Sequence, residues 1–247
     1  PNIRFVYQIA GTNAELVETF LKQPVAQRFA VLSLHPYHWP DFESPEKWLP
    51  IYLAQVQGLQ KTHQSHHALW MTEIGAPQHL DPQGGLFNFG QARNVRGQSR
   101  AEAAGYMAKI VTIALHNGIE KIFWYNYRDR GNLWADPENF FGLRDYEGFP
   151  KPTYLAWYWL TQNLRATRPD QSLKLSSRIQ AYRFLRRTDV CAIAWSSDDR
   201  EYEVDTTSLL GKQARYTAIN LMGQPLPREA GSIRIGSEPV LACSQPD

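Results

Sequence analysis

ALWMTEIGAP, residues Ala68 to Pro77, is the stretch on which the fold turns. Ala68 to Glu73 is short, apolar and without helical period, and it runs into Gly75-Ala76-Pro77. It therefore predicts a buried strand that stops at a turn and carries a carboxylate at its carboxyl end. A loop rich in Gly, Asn and Gln follows from about Gln78 to Gln98, and long loops after strands are where function tends to sit. Working outward, Ala30 to His35 (AVLSLH) is a second such strand, closed by Pro36 and Pro40. Ile3 to Gln8 (IRFVYQ) is a third and Lys121 to Asn126 (KIFWYN) a fourth.

Helical signals separate these strands. Thr12 with Glu15 predicts a capping box opening a helix from Ala14 to Phe29. Ser44-Pro45-Glu46 supplies a cap, a first-turn proline and an acid at the positive helix end, ahead of Trp48, Ile51, Val56 and Leu59. Ser99 with Glu102 repeats the capping pattern before Tyr106, Ile110 and Ile113, and Asn117-Gly118 stops that helix. Lys151-Pro152 opens an aromatic helix from Tyr154 to Leu164. Four strands, each followed by a helix, predict a parallel sheet buried on both faces: half of a (β/α)8 barrel or part of an open α/β sheet.

After a hinge near Arg165 to Gln171 the pattern changes. Short apolar runs at Ile179 to Leu185, Val190 to Trp195, Ala214 to Leu221 and Ile233 to Ala242 alternate with turns, and no useful helix appears. This predicts an antiparallel β-domain over 171–247, behind an α/β domain over 1–170. Its two cysteines, Cys191 and Cys243, permit one disulfide; nothing in the sequence brings them together, so two buried thiols are the expectation.

Composition excludes several classes. A net charge of +2 over 247 residues gives no basic field for nucleic acid. No stretch reaches the ~18 to 20 apolar residues that cross a bilayer, so no membrane span is expected. No cysteine or histidine spacing suggests a metal, and no cofactor is expected. Aromatics make up 13% of the chain, a share that suits sugar faces as well as a core. The start at Pro1 leads to the expectation that something upstream has been removed.

Polar and aromatic residues gather at the carboxyl ends of three strands. His35, Tyr37, His38 and Trp39 follow one, Thr72 and Glu73 end the next, and Trp124, Tyr125, Asn126, Tyr127, Arg128 and Asp129 end the last. A (β/α)8 barrel builds its active site at that face.

These residues carry a family resemblance. Leu69-Trp70-Met71-Thr72-Glu73-Ile74-Gly75 resembles the nucleophile strand of the clan A barrel glycoside hydrolases, which place catalytic carboxylates on strands four and seven. His35-Pro36-Tyr37 resembles their strand-six signature and Phe123-Trp124-Tyr125 their strand-eight tryptophan. Phe141-Gly142-Leu143 followed by Lys151-Pro152-Thr153-Tyr154 is similar to their post-barrel sequence. Asn220-Leu221-Met222-Gly223 and Gly236-Ser237-Glu238-Pro239-Val240 resemble their appended β-sandwich. The resemblance spans nearly the whole chain and is nearest to family 39, with family 5 as neighbour.

It implies a partial barrel, strands five to eight, followed by a small antiparallel β-sandwich, in a retaining O-glycosidase of poly- or oligosaccharides. Glu73 would be the nucleophile. Tyr37 would donate to it, His35 would orient groups beneath the sugar, and Trp124 would form the subsite floor. His38, Trp39, Tyr127, Arg128, Asp129 and Trp134 would lie further out. The acid/base of that clan is a Glu in an Asn-Glu pair after strand four, and no such dipeptide occurs in this chain. The resemblance thus implies an N-terminal half barrel upstream as partner and no glycosidase activity from this segment alone. The substrate class implies an extracellular or periplasmic location. The alternatives are a non-catalytic polysaccharide-binding barrel and a half barrel that pairs with a second copy.

Overall fold

Four parallel strands in the order β1-β2-β3-β6 form the sheet that carries the candidate site: β1 (Val6–Ala10), β2 (Val31–His35), β3 (Ala68–Ile74) and β6 (Ile119–Trp124). The computed structural model describes residues 5–38, 43–78, 86–89, 93–133, 136–186, 189–198, 200–212, 215–227 and 231–244. The helices that lie between these strands in the sequence are α1 (Ala14–Leu21), α2 (Pro45–Thr62) and α3 (Arg100–His116). All five residues of β2 are buried, as a central parallel strand requires. On β1, Tyr7 stacks on Phe20 of α1 with ring centres 3.8 Å apart, and Phe29 closes on both rings edge-on.

Several boundaries differ from the sequence reading, each for a local reason. Asn13 rather than Thr12 caps α1, its side chain accepting the Glu15 N–H at 2.8 Å. The helix stops at Leu21 because Pro24 disfavours helical geometry at Gln23, and a 3-10 turn over Pro24–Arg28 takes up the remainder. Within the stretch read as loop, β4 (Leu86–Phe89) and β5 (Arg93–Arg96) pair as an antiparallel hairpin. The fourth parallel strand ends at Trp124, and the Tyr125–Asn126 peptide bond is cis.

The chain divides into two compact units, Pro1–Ser99 with Ile113–Gly148, and Arg100–Thr112 with Phe149–Asp247. The second contains α4 (Pro152–Leu164) and a five-stranded antiparallel sheet in the order β11-β13-β9-β8-β7. Its strands are β7 (Arg168–Ser176), β8 (Ile179–Arg186), β9 (Asp189–Ser196), β11 (Tyr216–Ile219) and β13 (Val240–Ser244). A two-stranded sheet of β10 (Tyr202–Asp205) and β12 (Ser232–Ile235) shares its core, as does the short α5 (Thr206–Leu210), a helix the sequence reading omits. That core is Ile179, Ala181, Ala192, Ala194, Ala218, Val240 and Ala242 from the larger sheet, packed with Val204, Ile233 and Ile235 from the smaller one and Leu209 and Leu210 of α5. The alternation of these positions along each strand is what buries one face.

The cysteines correct the sequence expectation. Cys191 and Cys243 form a disulfide, with Cα atoms 4.1 Å apart. The cause is register: β13 lies beside β9 and sets Cys243 directly opposite Cys191, although 52 residues separate them in the chain. Asn163 of α4 lies against both sulfurs.

Candidate active site

The site begins with an irregularity in β3. Met71 pairs with Ile122 and Ile74 with Trp124, so three steps along β3 match two along β6. This bulge falls on Thr72 and Glu73, the kind of insertion that re-aims a side chain at the end of a strand. Next in the chain is Gly75, where a Cβ would overlap the Tyr125 carbonyl oxygen and lie 2.9 Å from Phe141 Cδ1. Only glycine admits this approach, which is fastened by the Tyr125 N–H donating to the Ile74 carbonyl at 2.8 Å.

Glu73 is gripped from the end of β2. Tyr37 Oη donates to Glu73 Oε1 at 3.0 Å, and His35 Nδ1 lies 3.7 Å from Oε2. Pro36 ends β2 between those two residues and lets both side chains turn to the same carboxylate. Beneath, His35 Nε2 meets Thr72 Oγ1 at 2.8 Å, Thr72 meets Ser33, and Gln8 Nε2 lies 3.2 Å from His35 Nδ1. The Gln8 amide donates, so Nδ1 accepts and the imidazole proton sits on Nε2, facing Thr72.

The electrostatics follow from burial. Desolvation lowers the His35 pKa below the ordinary histidine value, against the Glu73 carboxylate, which works to raise it. Desolvation also pushes the Tyr37 phenol far above its usual value, with the Glu73 charge and their hydrogen bond adding to the rise. Tyr37 is therefore a fixed proton donor at any working pH.

A second carboxylate lies close by. Tyr125 Oη donates to Glu138 Oε2 at 3.1 Å, and the Arg130 guanidinium stands 5.3 Å from the Tyr125 ring centre. Burial first, then the Glu138 charge, raises the Tyr125 pKa, while Arg130 opposes them. Asp136 Oδ1 accepts the Glu138 N–H at 3.0 Å and fixes its backbone. Phe141 sets the two tyrosines, edge-on to Tyr37 at 6.4 Å and to Tyr125 at 5.4 Å.

Among the residues expected at the site, the structure brings His35, Tyr37 and Glu73 together. Trp124 is only 9% exposed, in register beside Ile74, and it is its neighbour Tyr125 that feels the Glu73 charge. His38 is occupied by α2 and its approach, stacking on Trp48 at 4.8 Å with Nε2 3.7 Å from Glu43 Oε2. Asp129 is 5% exposed and accepts the Gly142 N–H at 2.7 Å, so it clamps the loop instead of facing solvent. Tyr127 and Arg128 are exposed. Trp39 and Trp134 lie outside the described residues. Sequence reading passes over Tyr125 as a site residue, along with Glu138 and Arg130. The adjacent aromatics in Phe123-Trp124-Tyr125 signal that one of them faces the site, but a strand that ends within the run hides which one. Among the described residues no three His, Cys, Asp or Glu side chains are placed to hold a metal ion.

No family model matches the sequence, and no curated protein matches it. Solved structures do. A family 39 glycoside hydrolase from the gut symbiont Bacteroides cellulosilyticus WH2 superposes with a TM-score of 0.69 at 17% identity, over 93% of this chain and 47% of that one. The chain shares its fold with glycoside hydrolases. A GH30 endoxylanase from Clostridium papyrosolvens C71 gives 0.62 at 12% identity over 99% of this chain and 57% of its own. An alpha-L-arabinofuranosidase from Thermotoga maritima gives 0.59 at 9% identity over 99% and 58%. The chain thus spans about half the length of these glycoside hydrolases.

Proposed function

We propose that this chain carries the nucleophile side of a retaining glycoside hydrolase acting on a poly- or oligosaccharide, with Glu73 as nucleophile. The observation that carries the proposal is the grip on Glu73: a carboxylate aimed by a strand-end bulge and held by a tyrosine that keeps its proton. Glu73 would attack the anomeric carbon as the bond to the leaving oxygen breaks and an acid gives that oxygen its proton. Water then hydrolyses the glycosyl ester, with the same acid acting as base. Tyr37 orients the attacking oxygen, and His35, neutral and braced by Gln8 and Thr72, packs beside the carboxylate without donating to it.

Glu138, which accepts from Tyr125 Oη at 3.1 Å, is not given the acid's role in this reading. The acid is assigned to a segment upstream. Two features support this: the chain spans about half of each structural relative, and β1 and β6 each have one partner strand among the described residues. Strands β1, β2, β3 and β6 then stand as barrel strands five to eight, and the antiparallel sheets as an accessory β-sandwich. The disulfide supports a location in an oxidising compartment outside the cytosol.

The test is an assay of the chain alone and joined to its upstream segment, on aryl glycosides with good and poor leaving groups. Turnover should require the upstream segment and should vanish on Glu73→Gln. Binding without turnover in the joined protein would favour a non-catalytic polysaccharide-binding barrel. Full activity of the chain alone would refute the assignment of the acid.

A further inference from the structure

Three tyrosine–arginine pairs lie in the loop that leaves β6. Arg130 stands 5.3 Å from the Tyr125 ring centre, Arg144 stands 5.7 Å from that of Tyr127, and Arg128 stands 5.8 Å from that of Tyr146. The first pair belongs to the Glu73 site. The other two sit beside it on the surface, with Tyr127 63% and Tyr146 45% exposed.

The loop is built to hold them. Tyr127 and Arg128 are laced to Arg144 by a parallel bridge: the Arg144 N–H donates to the Tyr127 carbonyl and the Asp129 N–H to the Arg144 carbonyl, each at 3.0 Å. Gly142 makes this possible, since a Cβ there would overlap Asp129 N and Arg144 O. The buried Asp129 carboxylate locks the crossing by accepting the Gly142 N–H. The guanidiniums are tethered too. Arg128 donates through Nε (2.9 Å) and Nη2 to the Tyr146 carbonyl, and Arg144 Nη1 donates to the Gly148 carbonyl at 2.8 Å.

A clamped loop that keeps two large rings in water serves a ligand better than it serves stability. Each ring stays largely exposed with a guanidinium close by, so aromatic surface and N–H donors lie side by side. That pairing fits a sugar, whose C–H face stacks on the ring and whose hydroxyls accept from the guanidinium. Between Tyr127 and Gly148 the chain has three arginines and, besides the buried Asp129, four carboxylates, so the surface does not favour a polyanion.

We infer that Tyr127 with Arg144 and Tyr146 with Arg128 form sugar subsites beyond the one at Glu73, and that the substrate is a neutral polysaccharide bound over several units. That this polysaccharide is hydrolysed rests on the reading of Glu73; that it binds here does not.

Affinity electrophoresis of the chain in gels containing xylan, mixed-linkage β-glucan, galactomannan or polygalacturonate separates the two. Retardation is expected in at least one neutral polymer. It should fall at least tenfold in apparent affinity for the Tyr127→Ala, Tyr146→Ala double variant and persist when both are changed to Trp, with circular dichroism unchanged. The inference is overturned by the absence of retardation in every neutral polymer, by retardation in polygalacturonate alone, or by an alanine variant that binds as well as the parent. A protein that is retarded as expected but takes no glycosyl label at Glu73 sinks the nucleophile and leaves the platform standing.

Discussion

Reducing the Cys191–Cys243 disulfide should cost the antiparallel unit much of its stability. The bond closes a loop of 52 residues, for which the loss of chain entropy in the unfolded state corresponds to about 4 kcal/mol at 25 °C. Native disulfides deliver roughly 2 to 4 kcal/mol in practice. At about 2 to 4 °C per kcal/mol for a chain of this size, the midpoint should drop by roughly 5 to 15 °C. Oxidised and reduced protein are compared by thermal and urea unfolding followed by circular dichroism. Comparing redox states of one sequence avoids the cavity that a cysteine substitution would leave. Coincident midpoints, or two thiols titrating in unreduced denatured protein, would refute the pairing and the strand register on which it rests.

Gly75→Ala should destabilise by about 1 to 3 kcal/mol in urea unfolding, because the new Cβ overlaps the Tyr125 carbonyl and one strand end must move. Tyr37→Phe should slow glycosylation about tenfold in the protein that supplies the acid. A hydrogen bond to a charged acceptor is worth about 1.5 to 3 kcal/mol, and the part-exposed Glu73 places the loss at the low end; single-turnover kinetics reads it. By NMR, His35 should titrate below the ordinary histidine value and lower still in Glu73→Gln, which removes the charge that raises it. Since its folded pKa is depressed, the stability His35 contributes is complete above about pH 6.5 and is lost as pH falls through the folded value. Unfolding free energies from pH 8 to 5 should lose that slope when His35 is replaced by Asn.

The parallel strands were readable because their apolar runs are short and end at Pro36 and at Gly75-Ala76-Pro77. Glu73 and Tyr37 were readable as a pair because each follows such a strand end, and the structure joins them at 3.0 Å. Tyr125 was harder. The bulge at Thr72 and Glu73 shifts the register of β6, so alternation counted along the sequence does not show which of three successive aromatics faces the carboxylate. Glu138 comes through a loop whose path depends on Gly142 and Asp129, contacts with no periodic signature. The disulfide was hidden for a topological reason: β13 inserts between β11 and β9, and only that sheet order makes residues 52 apart into direct partners.

The most direct test of the central claim is chemical. A mechanism-based fluoro-sugar that traps the glycosyl ester, applied to the protein joined to its upstream segment, should add one sugar to the peptide that bears Glu73. A sugar found on Glu138 or any other carboxylate, with Glu73 unmodified, would contradict the account.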